Sequence, residues 1–238
     1  MAIEREVIVH AAGVKLQGTL SWPQAPSGLV LFAHGSGSSR HSPRNREVAE
    51  SIREAGIGTL LFDLLTAEEE PRDRYSGLHR FDIGLLSGRL VAATEWALAH
   101  SDARGLPIGY FGASTGAAAA LVAAAELDGQ VGAVISRGGR PDMACDALAK
   151  VTAPTLLIVG ERDPAVIDLN RQAYAQLRCE REMVIVPGAT HLFEEPGTLE
   201  QVAQLAVAWL RRHLLLDTAF HPGERGRPDY GAKPAPRR

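Results

Sequence analysis

Apolar and polar positions along the chain form short blocks of two kinds. Residues 6–10 and 14–20 partly alternate apolar with polar side chains, with Ala12-Gly13 between them. This predicts an antiparallel hairpin at a sheet edge. Residues 28–33, 57–62, 106–111, 131–135, 154–159 and 183–186 are instead apolar runs, as expected of strands covered on both faces. Between them lie segments with helical character: 43–55, 80–100, an Ala-rich stretch ending at Leu127, a stretch through Gln176, and 198–215. Ser42 is the expected N-cap of the first helix and Gly56 its stop. Residues 66–77 are polar and acidic and read as a surface loop. Strands alternating with helices predict an α/β fold: an eight-stranded, mostly parallel sheet with helices on both faces.

Composition narrows the classes. The 238 residues suit one α/β domain, expected over 1–216, and 45% hydrophobic with 22% charged residues is ordinary for a globular protein. A net charge of −3 gives no general attraction to nucleic acid or an anionic membrane. No secretory leader or membrane-spanning run is read, and Cys145 and Cys179 lack metal-type spacing. A cytoplasmic protein with two free thiols and no cofactor or metal is expected, with room for a homodimer. Residues 217–238, rich in Pro, Gly and Arg, read as a mobile tail.

The chemistry centres on Gly112-Ala113-Ser114-Thr115-Gly116, which follows an apolar run and precedes the Ala-rich segment. Strand, sharp turn and helix around G-x-S-x-G form the context of a nucleophile elbow. The glycines let strand and helix pass closely while the turn lifts the hydroxyl above the sheet. A serine hydroxyl needs a base, and the base needs an orienting acid. Of His191, His213 and His221, only His191 occupies a post-strand loop ahead of a helix. Among the carboxylates between Ser114 and His191, Asp163 and its neighbour Glu161 lie just beyond a buried strand, and Asp163-Pro164 also fits a turn into a helix. Ser114, Asp163 and His191 are therefore the candidate triad. The candidate oxyanion donors are the main-chain amides of Thr115 and of Ser36, the latter in the turn His34-Gly35-Ser36-Gly37. That turn is not a P-loop, since no Lys-Ser/Thr follows it.

Together with Gly160-Glu161-Arg162-Asp163 and Gly188-Ala189-Thr190-His191, these motifs resemble those of an α/β-hydrolase over about residues 5 to 215. Within that fold the chain is similar to the dienelactone hydrolase-like branch. Relatives of this kind sometimes accompany phosphoribosyltransferase domains, and none is read in this sequence. The family's named enzymes use a cysteine nucleophile where this chain has Ser114, which favours general ester chemistry. In α/β-hydrolases a cap is usually inserted after the strand ending here at Ile135. Residues 136–153 leave room for one helix and two loops, so little or no lid is expected, and small soluble esters are favoured over long-chain lipids. The expected activity is hydrolysis of a small-molecule carboxylic ester through an acyl-enzyme; thioester, amide or peracid chemistry on the same triad, or a non-catalytic binding module of the fold, are the alternatives.

Arg137 and Arg140 flank Gly138-Gly139 at the carboxyl end of the 131–135 strand, on the sheet edge that carries Ser114. They are candidate contacts for a negatively charged substrate, with the glycines leaving room for its close approach.

Overall fold

The computed structural model describes residues 3–11, 13–100 and 103–214, so Ala12 of the hairpin turn and the expected tail lie outside the described residues. Strands β1 (Ile3–Ala11) and β2 (Val14–Trp22) form the antiparallel hairpin, with Gly13 at φ +81°. They are followed by β3 (Leu29–Ala33), helix α1 (Pro43–Glu54), β4 (Gly58–Phe62), α2 (Glu69–Ser76) and α3 (Ile83–Ala99). The remainder comprises β5 (Ile108–Ala113), α4 (Thr115–Glu126), β6 (Val131–Arg137), a 3-10 helix (Pro141–Lys150), β7 (Thr155–Gly160), α5 (Pro164–Gln176), β8 (Arg181–Val186) and α6 (Thr198–Leu214). The sheet order is β1-β2-β4-β3-β5-β6-β7-β8, antiparallel through the first three strands and parallel thereafter.

The apolar runs behave as doubly covered strands. In β3, Leu29, Leu31 and Ala33 face one core with α3 and α4, while Val30 and Phe32 face a second core with α1 and α6. The two-residue period of a strand divides a continuous apolar run between two helical layers. On α1, Val48 and Ala49 are buried one turn before Ile52, which is also buried. Val48 and Ile52 each contribute about 1.5–3 kcal/mol by leaving water. Ser42 caps α1, accepting from the Asn45 N–H, and Pro43 opens it.

One segment departs from the sequence reading. Residues 66–77 contain α2 rather than a plain loop. The Thr66 N–H donates to Glu69 Oε2 at 2.8 Å, and the Glu69 N–H donates to Thr66 Oγ1 at 3.2 Å, a reciprocal box of the kind that starts helices. Arg89 on α3 grips Glu69 with both terminal nitrogens and holds its carboxyl below the usual range. Buried Asp73 accepts from the His79 N–H and Arg80 Nε, both at 2.6 Å, tying α2 to the approach of α3. After β6, the 3-10 helix packs against α4 and α5, and no cap domain interrupts 136–153. Cys145 and Cys179 are both free. No helix among the described residues is long and apolar enough to cross a membrane.

Candidate active site

Ser114 stands between β5 and α4 at φ 51° and ψ −123°, a region that costs a non-glycine residue about 1–3 kcal/mol. The neighbouring glycines hold it there. A methyl at Gly112 would come within 2.7 Å of the Ala117 nitrogen, and one at Gly116 within 2.6 Å of the Ala33 carbonyl carbon and the His34 oxygen. Strand-to-helix and helix-to-β3 contacts at this corner therefore exclude any Cβ. The Ser114 carbonyl accepts from the N–H groups of Ala117 and Arg140, and its own N–H donates to the Arg137 carbonyl at 3.3 Å.

The carboxyl ends of β7 and β8 supply the partners. His191 Nδ1 lies 2.7 Å from Asp163 Oδ2, with the carboxylate side chain 16% exposed and the imidazole 40%. Asp163 is in the N-cap position of α5, yet its side chain makes no capping bond; the carboxylate is directed to the imidazole instead. Glu161 does not compete for His191, because its Oε2 accepts from the Gly188 N–H at 2.7 Å. The two loops are laced further by Arg162 N–H to the Ala189 carbonyl, and the second loop is braced within itself by Thr190 N–H to Glu195 Oε2. Gly160 lets them cross, since a methyl there would sit 2.6 Å from the Thr190 oxygen.

Ser114 and His191 line one cavity of about 240 Å³, together with Gly35, Ser36, Ser42, Asn45 and Arg137. A larger open cleft of about 520 Å³ adjoins it, and Ser38, Ser42 and Arg44 line both. The turn after β3 approaches the elbow closely, because a methyl on Gly35 would be 3.0 Å from Ser114 Cβ. The Ser36 N–H donates to Thr115 Oγ1 at 3.1 Å. One expected oxyanion donor thus already has an acceptor in the neighbouring hydroxyl.

His34 is buried, and its ring is fully occupied. Nδ1 donates to the Gly35 carbonyl at 2.9 Å, while Nε2 accepts from the Leu64 N–H at 3.0 Å. Burial pushes its pKa down, and these partners select the neutral Nδ1–H tautomer. The sequence pointed to this turn for its amides and missed that the histidine splices it to the end of β4.

The two arginines separate. Arg140 is turned away from the expected substrate role: its guanidinium is held by Asp142 through Nε at 2.9 Å and Nη2 at 2.8 Å. Such a bidentate pair leaves the fork committed, and Arg140 does not line the Ser114 cavity. Arg137 does line it. It is 6% exposed and donates from Nη2 to Asn45 Oδ1 at 3.1 Å, and its guanidinium lies 6.0 Å from the Phe193 ring centre. Burial, and then the charge of Arg44, bring its pKa down to about 10, so it remains cationic at neutral pH. The glycines between the arginines serve the protein's own packing, and Gly138 also lines the Ser114 cavity. Gly138 admits the His191 carbonyl, and Gly139 admits the Ser136 and Ala117 side chains.

A mostly parallel eight-stranded sheet, helices on both faces and a serine on a strained strand-to-helix turn define an α/β-hydrolase. The chain belongs to the dienelactone hydrolase family, whose model matches residues 16–219. It is 57% identical, with a TM-score of 0.88, to a dienelactone hydrolase structure from Anabaena variabilis, over 90% of this chain and 99% of that one. Similarity to the esterase domain of a Rhodothermus marinus protein is one of fold alone, at 20% identity and a TM-score of 0.70 over 89% of this chain and 99% of that one. A Mycobacterium tuberculosis protein, provisionally named a phosphoribosyl transferase, is 58% identical over 211 residues. Those residues are 89% of this chain and 47% of that relative, so the chain spans about half the length of the curated relative it matches.

Proposed function

We propose that the protein hydrolyses small carboxylic esters through a covalent acyl-enzyme on Ser114. The observation that carries this reading is that a strained elbow serine and a histidine paired with the Asp163 carboxylate line one cavity. His191 removes the Ser114 proton as the hydroxyl attacks the acyl carbon, and then returns it to the departing alcohol. Water activated by the same imidazole releases the acid. Asp163 keeps the Nδ1 proton on its side, so that Nε2 is the basic nitrogen. The tetrahedral oxyanion is held by the Thr115 N–H at the start of α4 and by the Ser36 N–H, which the oxyanion draws from Thr115 Oγ1 as charge develops. The open cavity and the absence of an inserted cap after β6 among the described residues favour short, soluble substrates.

The test is Ser114→Ala assayed with p-nitrophenyl esters of increasing acyl length. Loss of a triad member lowers turnover by about 10⁴–10⁶. With an unchanged circular dichroism spectrum, activity above a tenth of wild type refutes the reading.

A further inference from the structure

The cavity that holds Ser114 has an unusual charge. Its lining includes Arg44 and Arg137 and no acidic residue. Among the described residues Arg137 has no acidic partner, and its buried Nε has no acceptor. Arg44 is paired at the rim with Glu194 through Nη1 at 2.8 Å, while its own buried Nε also lacks an acceptor. An unpaired buried cation is costly, and its persistence beside a nucleophile is accounted for when a ligand brings the counter-charge. The surroundings suit an anion. The N-terminus of the 12-residue helix α1 borders the same cavity through its cap Ser42 and through Arg44 and Asn45. The Ser42 hydroxyl accepts from the Asn45 N–H at 3.4 Å, which leaves its proton to donate. Ser38 adds a second hydroxyl at the passage to the larger cleft.

We propose that Arg137 and Arg44, with Ser42 and the first turn of α1, form an oxyanion subsite for a phosphoryl group carried by the ester that Ser114 cleaves. A phosphate monoester brings close to two negative charges and three acceptor oxygens, which match two guanidiniums and the hydroxyls better than one carboxylate does. The phosphoryl group binds and is not transferred; the bond broken remains the carboxylic ester. Asn45 orients Arg137, and the Phe193 ring limits its movement, so Arg137 is the specificity residue and Arg44 the adjustable second arm. The assignment rests on Ser114 being the nucleophile only for the identity of the scissile bond. Binding of the anion is independent of it.

The experiment has two arms. In the first, inorganic phosphate is titrated by calorimetry into Ser114→Ala protein in phosphate-free buffer, alone and combined with Arg137→Gln or Arg44→Gln. Binding weakened about ten- to a hundredfold by Arg137→Gln and less by Arg44→Gln is expected. Absence of binding, or equal binding in all three proteins, overturns the proposal. In the second, matched esters bearing a phosphate, a carboxylate or a neutral cap are compared in the Ser114 protein by the ratio of their kcat/KM values. The expected order is phosphate, carboxylate, neutral, collapsing toward equality in Arg137→Gln. The ratio cancels any general loss of active protein, and Arg44→Gln stands in where Arg137→Gln fails to fold. Equal rates for phosphate and neutral esters overturn the proposal, as does a preference for the carboxylate. If no ester is hydrolysed but phosphate binds in an Arg137-dependent manner, the esterase reading fails and the subsite stands.

Discussion

Gly116→Ala tests the packing that holds Ser114 in its strained turn. The added methyl would sit 2.6 Å from the Ala33 carbonyl carbon and the His34 oxygen, both main-chain atoms of the sheet and its adjoining turn. Ordinary contact begins at 3.4 Å and the Ala33 carbonyl oxygen lies closer still, so α4 and β3 must separate by more than about 0.8 Å. No flexible side chain is available to give way. Overpacking a core costs about 1–3 kcal/mol, and a clash against backbone on both sides belongs at the upper end. For a domain of this size that lowers the melting temperature by about 6–12 °C. The same separation tilts Ser114 away from His191, so activity falls by more than the loss of folded protein explains. Gly88→Ala is the control: this glycine lies within α3, and a methyl there meets nothing within 4 Å. It should gain about 0.5–1 kcal/mol from helix propensity alone. Paired melting curves and ester assays on the two variants decide the matter. An unchanged melting temperature and activity in Gly116→Ala would refute the argument that the elbow is held by backbone contact.

Two further outcomes are expected. Asp163→Asn should cost about 10⁴-fold in kcat by favouring the wrong imidazole tautomer, with Glu161→Gln far milder because Glu161 anchors Gly188; steady-state kinetics on the two check this, and the reverse ranking would contradict the acid assignment. His34 has a folded pKa below its ordinary 6.5, so the unfolded chain binds the proton more readily and stability falls as pH drops from 6.5 through the folded value. Melting temperatures across that window should fall less steeply in His34→Gln than in wild type, and identical slopes would refute the linkage.

Much of this was legible in the chain because it depends on local constraints. Continuous apolar runs had to be doubly covered strands, and the residues of β3 divide between the two cores as a two-residue period requires. The elbow announced itself through small residues two before and two after Ser114, where the folded chain leaves no room for a Cβ. Choosing Asp163 over Glu161 was only half legible, since both follow the same strand and what separates them is the direction each side chain takes. Helix α2 was missed because its composition is polar and acidic, although Thr66 and Glu69 carried the spacing of a capping box. Arg137 and Arg140 looked equivalent in sequence. One ends a buried strand and the other meets Asp142 two residues on, a difference of environment that a linear pattern does not encode. The Thr115 hydroxyl that accepts the Ser36 amide is likewise a contact between residues 79 apart in sequence.

The hydrolysis proposed for this site depends on Ser114 being a nucleophile activated by His191. Its most direct test is incubation with a fluorophosphonate, followed by intact-mass measurement and peptide mapping. One phosphonyl adduct per chain is expected, located on Ser114, absent in Ser114→Ala and greatly slowed in His191→Ala. An unmodified mass for the folded wild-type protein, or an adduct on any residue other than Ser114, would contradict it.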